Sequence, residues 1–388
     1  MEKWLVGTAW MLIFLVRVSL GQYVQKVWEY RPAPGQFINQ EAWGTPQRAN
    51  SLIGGLNGGI SLGSLGGYIV LGFQKPIEND PNNPYGMDFT IFGNASSISA
   101  EPASVWVMHD DNQNGLPDDT WYRLAGSHDY FPTTQHALSI TYFNPFSEKA
   151  SNIPWEDSNG KKGMLLANQY HQQPYYPLPQ FFPDYPQEKV SFQTSKLSSN
   201  IRKKGENYVE LLPFGFGYAD NRPRQPSSSV MIPDNPYTLD VLEGSGGDAM
   251  DIDWAVDAQG NYARLEKIHF VKIQAACLEN VGWLGEISPE ITGIVDLEPN
   301  ASLKGETRCL VWNNIPMEMY PKKEFFCQAI LFDKGKPTNA TVHWNVSPST
   351  TASMTENGVL RIADNPDSEE ITLTASSENL KRTMKISI

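Results

Sequence analysis

Charge is scarce in this 388-residue chain: only 19% of its residues are Asp, Glu, Lys or Arg, below the usual quarter. The shortfall is mostly basic, with 30 Lys and Arg against 43 Asp and Glu and a formal net charge of −13. An acidic chain with no basic stripe repels phosphate, which excludes nucleic acid as a partner. Cysteine is sparse too. Cys277, Cys309 and Cys327 are the whole complement, and they show no metal-ligand spacing. No stretch longer than about ten residues carries a helical stripe, so bundles and coiled coils are excluded. Nor is there an H-E-x-x-H for zinc, or a GK[ST] behind the glycines of 244–247 for phosphate.

What the chain has in excess is punctuation and rings. It contains 31 Gly and 28 Pro, and its 11% aromatic content includes 11 Trp. A disordered chain would not carry this much aromatic surface. The composition fits a loop-rich, all-β globular protein with rings available for binding.

Residues 1–21 read as a cleavable secretory signal. Lys3 precedes an apolar run from Trp4 to Val16, and Val18-Ser19-Leu20-Gly21 supplies small residues before Gln22. Arg17 interrupts the run short of the about 20 apolar residues a spanning helix needs. No cysteine follows for lipid attachment, and no second hydrophobic span appears. The mature chain is expected to be exported: periplasmic, or associated with the outer membrane at the cell surface.

Beyond the signal, short runs alternate with period two, among them Asp88-Phe89-Thr90-Ile91-Phe92, Ser104-Val105-Trp106-Val107-Met108 and Ile268-His269-Phe270-Val271-Lys272-Ile273. Long polar connections separate them, which predicts a jelly-roll-like β-sandwich with loop insertions over 22–290. From 291 to 388 strands recur at closer spacing, the signature of a small immunoglobulin-like sandwich. Val342-His343-Trp344-Asn345-Val346 and Gly358-Val359-Leu360 resemble bacterial Ig-like repeats of surface proteins, which space or dock. Cys309 and Cys327 fall in this unit, either as a disulfide or as buried free thiols.

The sharpest local motif is His109 to Asp119. With Gly115 at the sixth position of a calcium loop, Asp110, Asn112 and Asn114 occupy the first, third and fifth, Leu116 offers its carbonyl, and Asp118 is ninth. Trp121 replaces the bidentate Glu of an EF-hand, so the expectation is a structural calcium turn. The alternative is an Asx-rich hairpin without metal. Asp251, Asp253 and Ala255 alternate with Ile252, Trp254 and Val256 as in a strand. Asp248 and Asp251 are candidate ligands or, more commonly for such residues, caps. Glycosidase chemistry needs two acids across a cleft, and among Glu29, Glu41, Glu101, Glu210, Glu243 and Glu286 no spacing singles out a pair. No catalytic residues are assigned.

Rings concentrate in residues 170–186. There Tyr170, His171, Tyr175, Tyr176, Phe181, Phe182 and Tyr185 sit among prolines that can display them at low entropic cost. The alternative is that these rings cover the sandwich.

Several phrases together carry a resemblance: Glu29-Tyr30-Arg31-Pro32-Ala33-Pro34-Gly35-Gln36-Phe37, Ser64-Leu65-Gly66-Gly67-Tyr68, Asn114-Gly115-Leu116-Pro117-Asp118-Asp119-Thr120-Trp121-Tyr122, Gly215-Phe216-Gly217-Tyr218-Ala219-Asp220-Asn221 and Gly247-Asp248-Ala249-Met250-Asp251. Over about residues 28–298 the chain resembles a family of Bacteroidota cell-surface proteins, some of which bind vitamin B12. The resemblance implies a non-catalytic surface protein that captures cobalamin or a related corrinoid for an outer-membrane transporter; on physical grounds alone, the aromatic and Gln side chains of 170–186 suit a planar, amide-edged macrocycle, with His171 the best-placed histidine for the cobalt face. A carbohydrate-binding surface protein or glycan-utilisation accessory, and a structural or adhesive module, are the alternatives.

Overall fold

The computed structural model describes residues 22–205 and 208–388, so the expected signal at 1–21 lies outside the described residues. The fold is all-β, built from antiparallel sheets. Period-two alternation sets the faces: along Ala103–Met108, the side chains of Ala103, Val105 and Val107 join the core, and Trp106 points to the opposite face.

Two sheets close on the main core. The larger runs in the order Lys26–Arg31, Tyr68–Glu78, Lys267–Ala275, Ala103–Met108, Trp121–Leu124 and Ala255–Val256, with Tyr218–Ala219 added beside Ala103–Met108. The smaller is ordered Asp248–Met250, Phe89–Gly93, Glu290–Asp296 and Ile60–Ser61. Ile69, Leu71, Val105, Val271 and Ile273 of the first meet Phe89, Ile91, Met250 and Ile294 of the second, all fully buried. At about 1.5–3 kcal/mol for each fully buried side chain, this core outweighs surface ion pairs worth about 0–1 kcal/mol. A third sheet, Lys189–Lys196, Gln135–Phe143, Ile153–Asp157 and Lys162–Leu165, stands beside the larger one and closes a second core.

Two expectations need correction. The alternating acids at 251–257 do not make one strand. Asp251 caps a 3-10 turn at Ile252–Trp254, accepting from the Asp253 N–H at 2.8 Å, and only Ala255–Val256 continues as strand. The domain boundary expected at 290 also falls later. Glu290–Asp296 pairs with Phe89–Gly93, because Ile291, Ile294 and Val295 are needed to complete the inner face of the smaller sheet. Beyond Leu297 come three three-stranded sheets, drawn from strands between Arg308 and Ser387.

That second unit is not a separate bead, since Cys309, Val311 and Phe332 enter the main core. Cys327 belongs instead to the unit's own core. The three cysteines are free and buried, and desolvation pushes the Cys309 and Cys327 thiols up to about 12.

Candidate functional site

The 170–186 rings do not form a display. Tyr175, Tyr176, Phe182 and Tyr185 are 1, 2, 5 and 6% exposed and belong to the second core. Their phenol groups are spent on the backbone: Tyr176 donates to Pro186 O at 2.7 Å, Tyr185 donates to Pro32 O at 2.6 Å, and Tyr175 accepts from the Asn168 N–H at 2.8 Å. Asn39 pins the loop by donating to the carbonyls of Pro174 and Tyr176. Phe181 is half-buried, and His171 lies edge-on to Phe37 with Nδ1 against the Gln40 amide. Only Tyr170 stands exposed. The covering alternative is the correct one, because a Tyr whose hydroxyl finds a carbonyl packs as well as a Phe.

The 110–119 turn does bring its predicted donors together. Asp110 accepts from the N–H groups of Asn114 and Gly115 at 3.1 and 2.9 Å. The amides of Asn112 and Asn114 donate to Asp118, and Asn114 Oδ1 takes the Leu116 N–H at 2.7 Å. Gly115 sits at φ 71, a left-handed position that favours glycine. The oxygens a cation would want are thus engaged by N–H donors, as an Asx-rich hairpin requires. Asp110→Ala is expected to cost about 0.5–1.5 kcal/mol by removing those hydrogen bonds, water taking over the exposed N–H groups. The substitution is expected to leave the calcium response of the melting temperature the same as in the wild type. A calcium-dependent rise that the substitution abolishes would restore the metal reading.

A second acidic group was not legible from spacing. One carboxylate oxygen each from Glu101, Asp220 and Glu290 lies within 4.8 Å of the others. Asp220 accepts from the N–H groups of Asn94, Ala95 and Glu290, all at 2.9 Å. Glu101 accepts from the Ser288 N–H at 2.8 Å, and Glu290 from the Asn94 amide at 3.0 Å. Burial first, then mutual repulsion, holds Glu101 and Glu290 well above the usual carboxylate range. Desolvation raises Asp220 to about 7 despite its backbone donors. Three desolvated acids this close are neutralised by protons or by a cation. Of the carboxylates weighed from sequence, only Glu101 is in this group. Nearby, Gly59-Ile60-Ser61-Leu62-Gly63 has the spacing of a serine-nucleophile elbow. Ser61 is fully buried in a strand and its hydroxyl meets Ser288 Oγ, with no histidine bonded to it among the described residues.

A cleft of about 460 Å³ lies between the two units, with Arg202, Arg222, Trp312 and Arg382 on its walls. Its groups are mostly committed to each other: Arg222 pairs with the buried Asp234, and Arg382 pairs with Asp240 and covers the Trp312 ring.

A different arrangement occupies the outer face of the larger sheet. Because Val105, Val107, Val271 and Ile273 point into the core, their alternating neighbours Trp106, Lys272 and Gln274 point away from it. Trp121 and Tyr68 come from the flanking strands, and Glu29 and Arg31 from the edge. The adjacent Lys189–Lys196 strand adds Phe192 and Gln193 as a wall, and Pro117 of the 110–119 turn closes another side. The groove so formed holds about 310 Å³.

Lys272 runs along its floor with Nζ 4.6 Å from the Trp106 ring centre, 5.4 Å from Trp121 and 5.8 Å from Tyr68. Desolvation lowers its ammonium to about 8, with Glu29 pulling the other way. The Tyr68 hydroxyl donates to Glu29 at 2.7 Å. Gln274 donates to Gly66 O and Gln193 O at 2.9 and 3.0 Å, yet its Oε1 is buried with no hydrogen-bond partner among the described residues. The indole N–H of Trp106 is orphaned in the same way. Both atoms lie beneath the surface of this face, under the Lys272 stem and the neighbouring strand. Of these residues only Glu29 was weighed from sequence, as one of six carboxylates with no partner singled out. The signal was present in the outward positions of the alternating strands, Trp106 above all.

No family model matches the sequence, and none of the curated proteins searched is similar to it.

Proposed function

We propose that the protein is an exported, non-catalytic binding protein whose ligand lies in the groove over Trp106 and Lys272, and that the ligand is a saccharide. The carrying observation is the lining itself: the Tyr68 and Trp121 rings stand around the Lys272 ammonium, with Gln193, Gln274 and Glu29 as polar neighbours. A sugar ring offers an apolar face to an aromatic ring and hydroxyls that both donate and accept. Those hydroxyls suit the Lys272 ammonium, the Arg31 guanidinium and the Glu29 carboxylate on the lining. The groove's volume is at the small end of ligand pockets, which suits one or two sugar rings. Export rests on residues 1–21, and no helix of the described residues is long and apolar enough to cross a membrane.

The second reading is the corrinoid, handed on to an outer-membrane transporter. Gln193 and Gln274 favour it, because a corrin is edged with amides. Such a macrocycle is larger than a sugar and would lie across the groove mouth.

Calorimetric titration against a panel of oligosaccharides, with cyanocobalamin in parallel, decides between them. Oligosaccharide binding is expected. Trp121→Ala, which removes a lining ring, should weaken it about tenfold, the equivalent of roughly one aromatic contact. Retention of cyanocobalamin alone would establish the second reading, and no heat from either ligand would sink both.

A further inference from the structure

Four charged or titratable side chains face the groove, and their balance is unusual for this molecule. Glu29 and Tyr68 are bonded to each other. Arg31 and Lys272 line the same groove, and neither forms an ion pair among the described residues. Of the other cations on this face, Arg123 on the Trp121–Leu124 strand is paired with Asp129, and Lys26 lies over the Trp28 ring. A protein of net charge −13 thus exposes a groove lined by two unpaired cations and one acid. Chance placement in so acidic a chain would favour the opposite sign.

The surroundings of Lys272 sharpen this. Trp106, Trp121 and Tyr68 shield the ammonium from water on several sides without neutralising it. Ring quadrupoles stabilise a cation at short range, but a partly desolvated ammonium still gains most from an opposite charge. Desolvation lowers the Lys272 pKa and leaves the charge in place at neutral pH. Arg31 has a planar fork suited to a carboxylate.

We infer that the groove selects a saccharide bearing a carboxylate, a uronic-acid unit whose carboxylate meets Lys272 or Arg31 while its ring lies against Trp121 and Tyr68. This rests on the saccharide reading above and narrows it. No covalent step is involved, and the class excludes neutral glycans as the preferred ligand.

The test compares trigalacturonate with its methyl-esterified form, which keeps the rings and removes the charge. Calorimetry on the full-length protein is expected to show the acid form binding at least tenfold more tightly, with the advantage shrinking as salt rises. Lys272→Met keeps the apolar stem and should erase the preference, so that the acid form binds no more tightly than the ester. If that variant does not fold, Arg31→Gln, at the more exposed end, is expected to reduce the preference severalfold. Equal binding of the two forms, or a preference that survives both substitutions, would overturn the acid selectivity and leave the saccharide reading standing. Failure of both forms and of neutral oligosaccharides to bind would remove that reading as well.

Discussion

In metal-free buffer the melting temperature is expected to fall by on the order of 5–10 °C as the pH rises from 5 to 8. Most acidic proteins are expected to be comfortable there, because ionised carboxylates usually gain partners on folding. Here the buried acids are shifted the other way. Desolvation raises Asp220, Asp251 and Asp296 to about 7, and Glu286 to about 8. Glu101, Glu290, Asp88 and Asp248 are also held above their ordinary values by burial. An unfolded chain loses these protons near pH 4. Between pH 4 and 8 the folded protein therefore binds more protons than the unfolded one, and stability declines as pH rises. The contribution is fully present below the unfolded values and is lost through the folded ones. Asp220→Asn should flatten part of this fall, since the amide keeps the shape and carries no charge. Calorimetric scans from pH 5 to 8 in EDTA check it, and a melt that stays level or rises over that range would show these acids to be ionised and compensated. Repeating the scans in calcium separates protons from a cation as the neutralising partner of Glu101, Asp220 and Glu290. A cation raises the melt at pH 8 and leaves it alone at pH 5.

The fold was legible where alternation alone determines structure. Ser104 to Met108 and Ile268 to Ile273 both read as strands and lie within Ala103–Met108 and Lys267–Ala275. The site was not, for two physical reasons. Ring density cannot distinguish a displayed aromatic from a packed one, and in 170–186 the deciding contacts are carbonyls of Pro32 and Pro186. Long-range partners also carry no local spacing. Glu101, Asp220 and Glu290 are separated by more than sixty residues at each step and meet only because Glu290–Asp296 enters the smaller sheet. Trp106 was readable as an outward residue of its strand. Its significance comes from Lys272 and Gln274, which antiparallel pairing of Lys267–Ala275 with Ala103–Met108 sets beside it.

Phe332→Ala is expected to destabilise the whole protein by about 3–5 kcal/mol and to leave a single unfolding transition. The Ig-like segment was expected to act as a spacer, which would melt independently. Instead Phe332 is fully buried in the main core, 5.2 Å from Phe216 and 5.6 Å from Tyr130 between ring centres. Phe216 in turn lies 5.1 Å from Trp254, the largest fully buried side chain. Gly335 approaches so closely that a Cβ there would stand 2.1 Å from the indole nitrogen of Trp254. The second unit therefore plugs the end of the sandwich, and removing one ring opens a cavity that both units border. Cavity cost grows with the volume that neighbours cannot refill, and rings at these distances are too constrained by their own packing to collapse inward. Gly335→Ala tests the same joint from the other direction, by overpacking: its φ of 74 adds backbone strain to the clash. Differential scanning calorimetry on both variants is the measurement. Two separated transitions, with only one of them moved by Phe332→Ala, would show that the units fold independently and that the shared core contributes little.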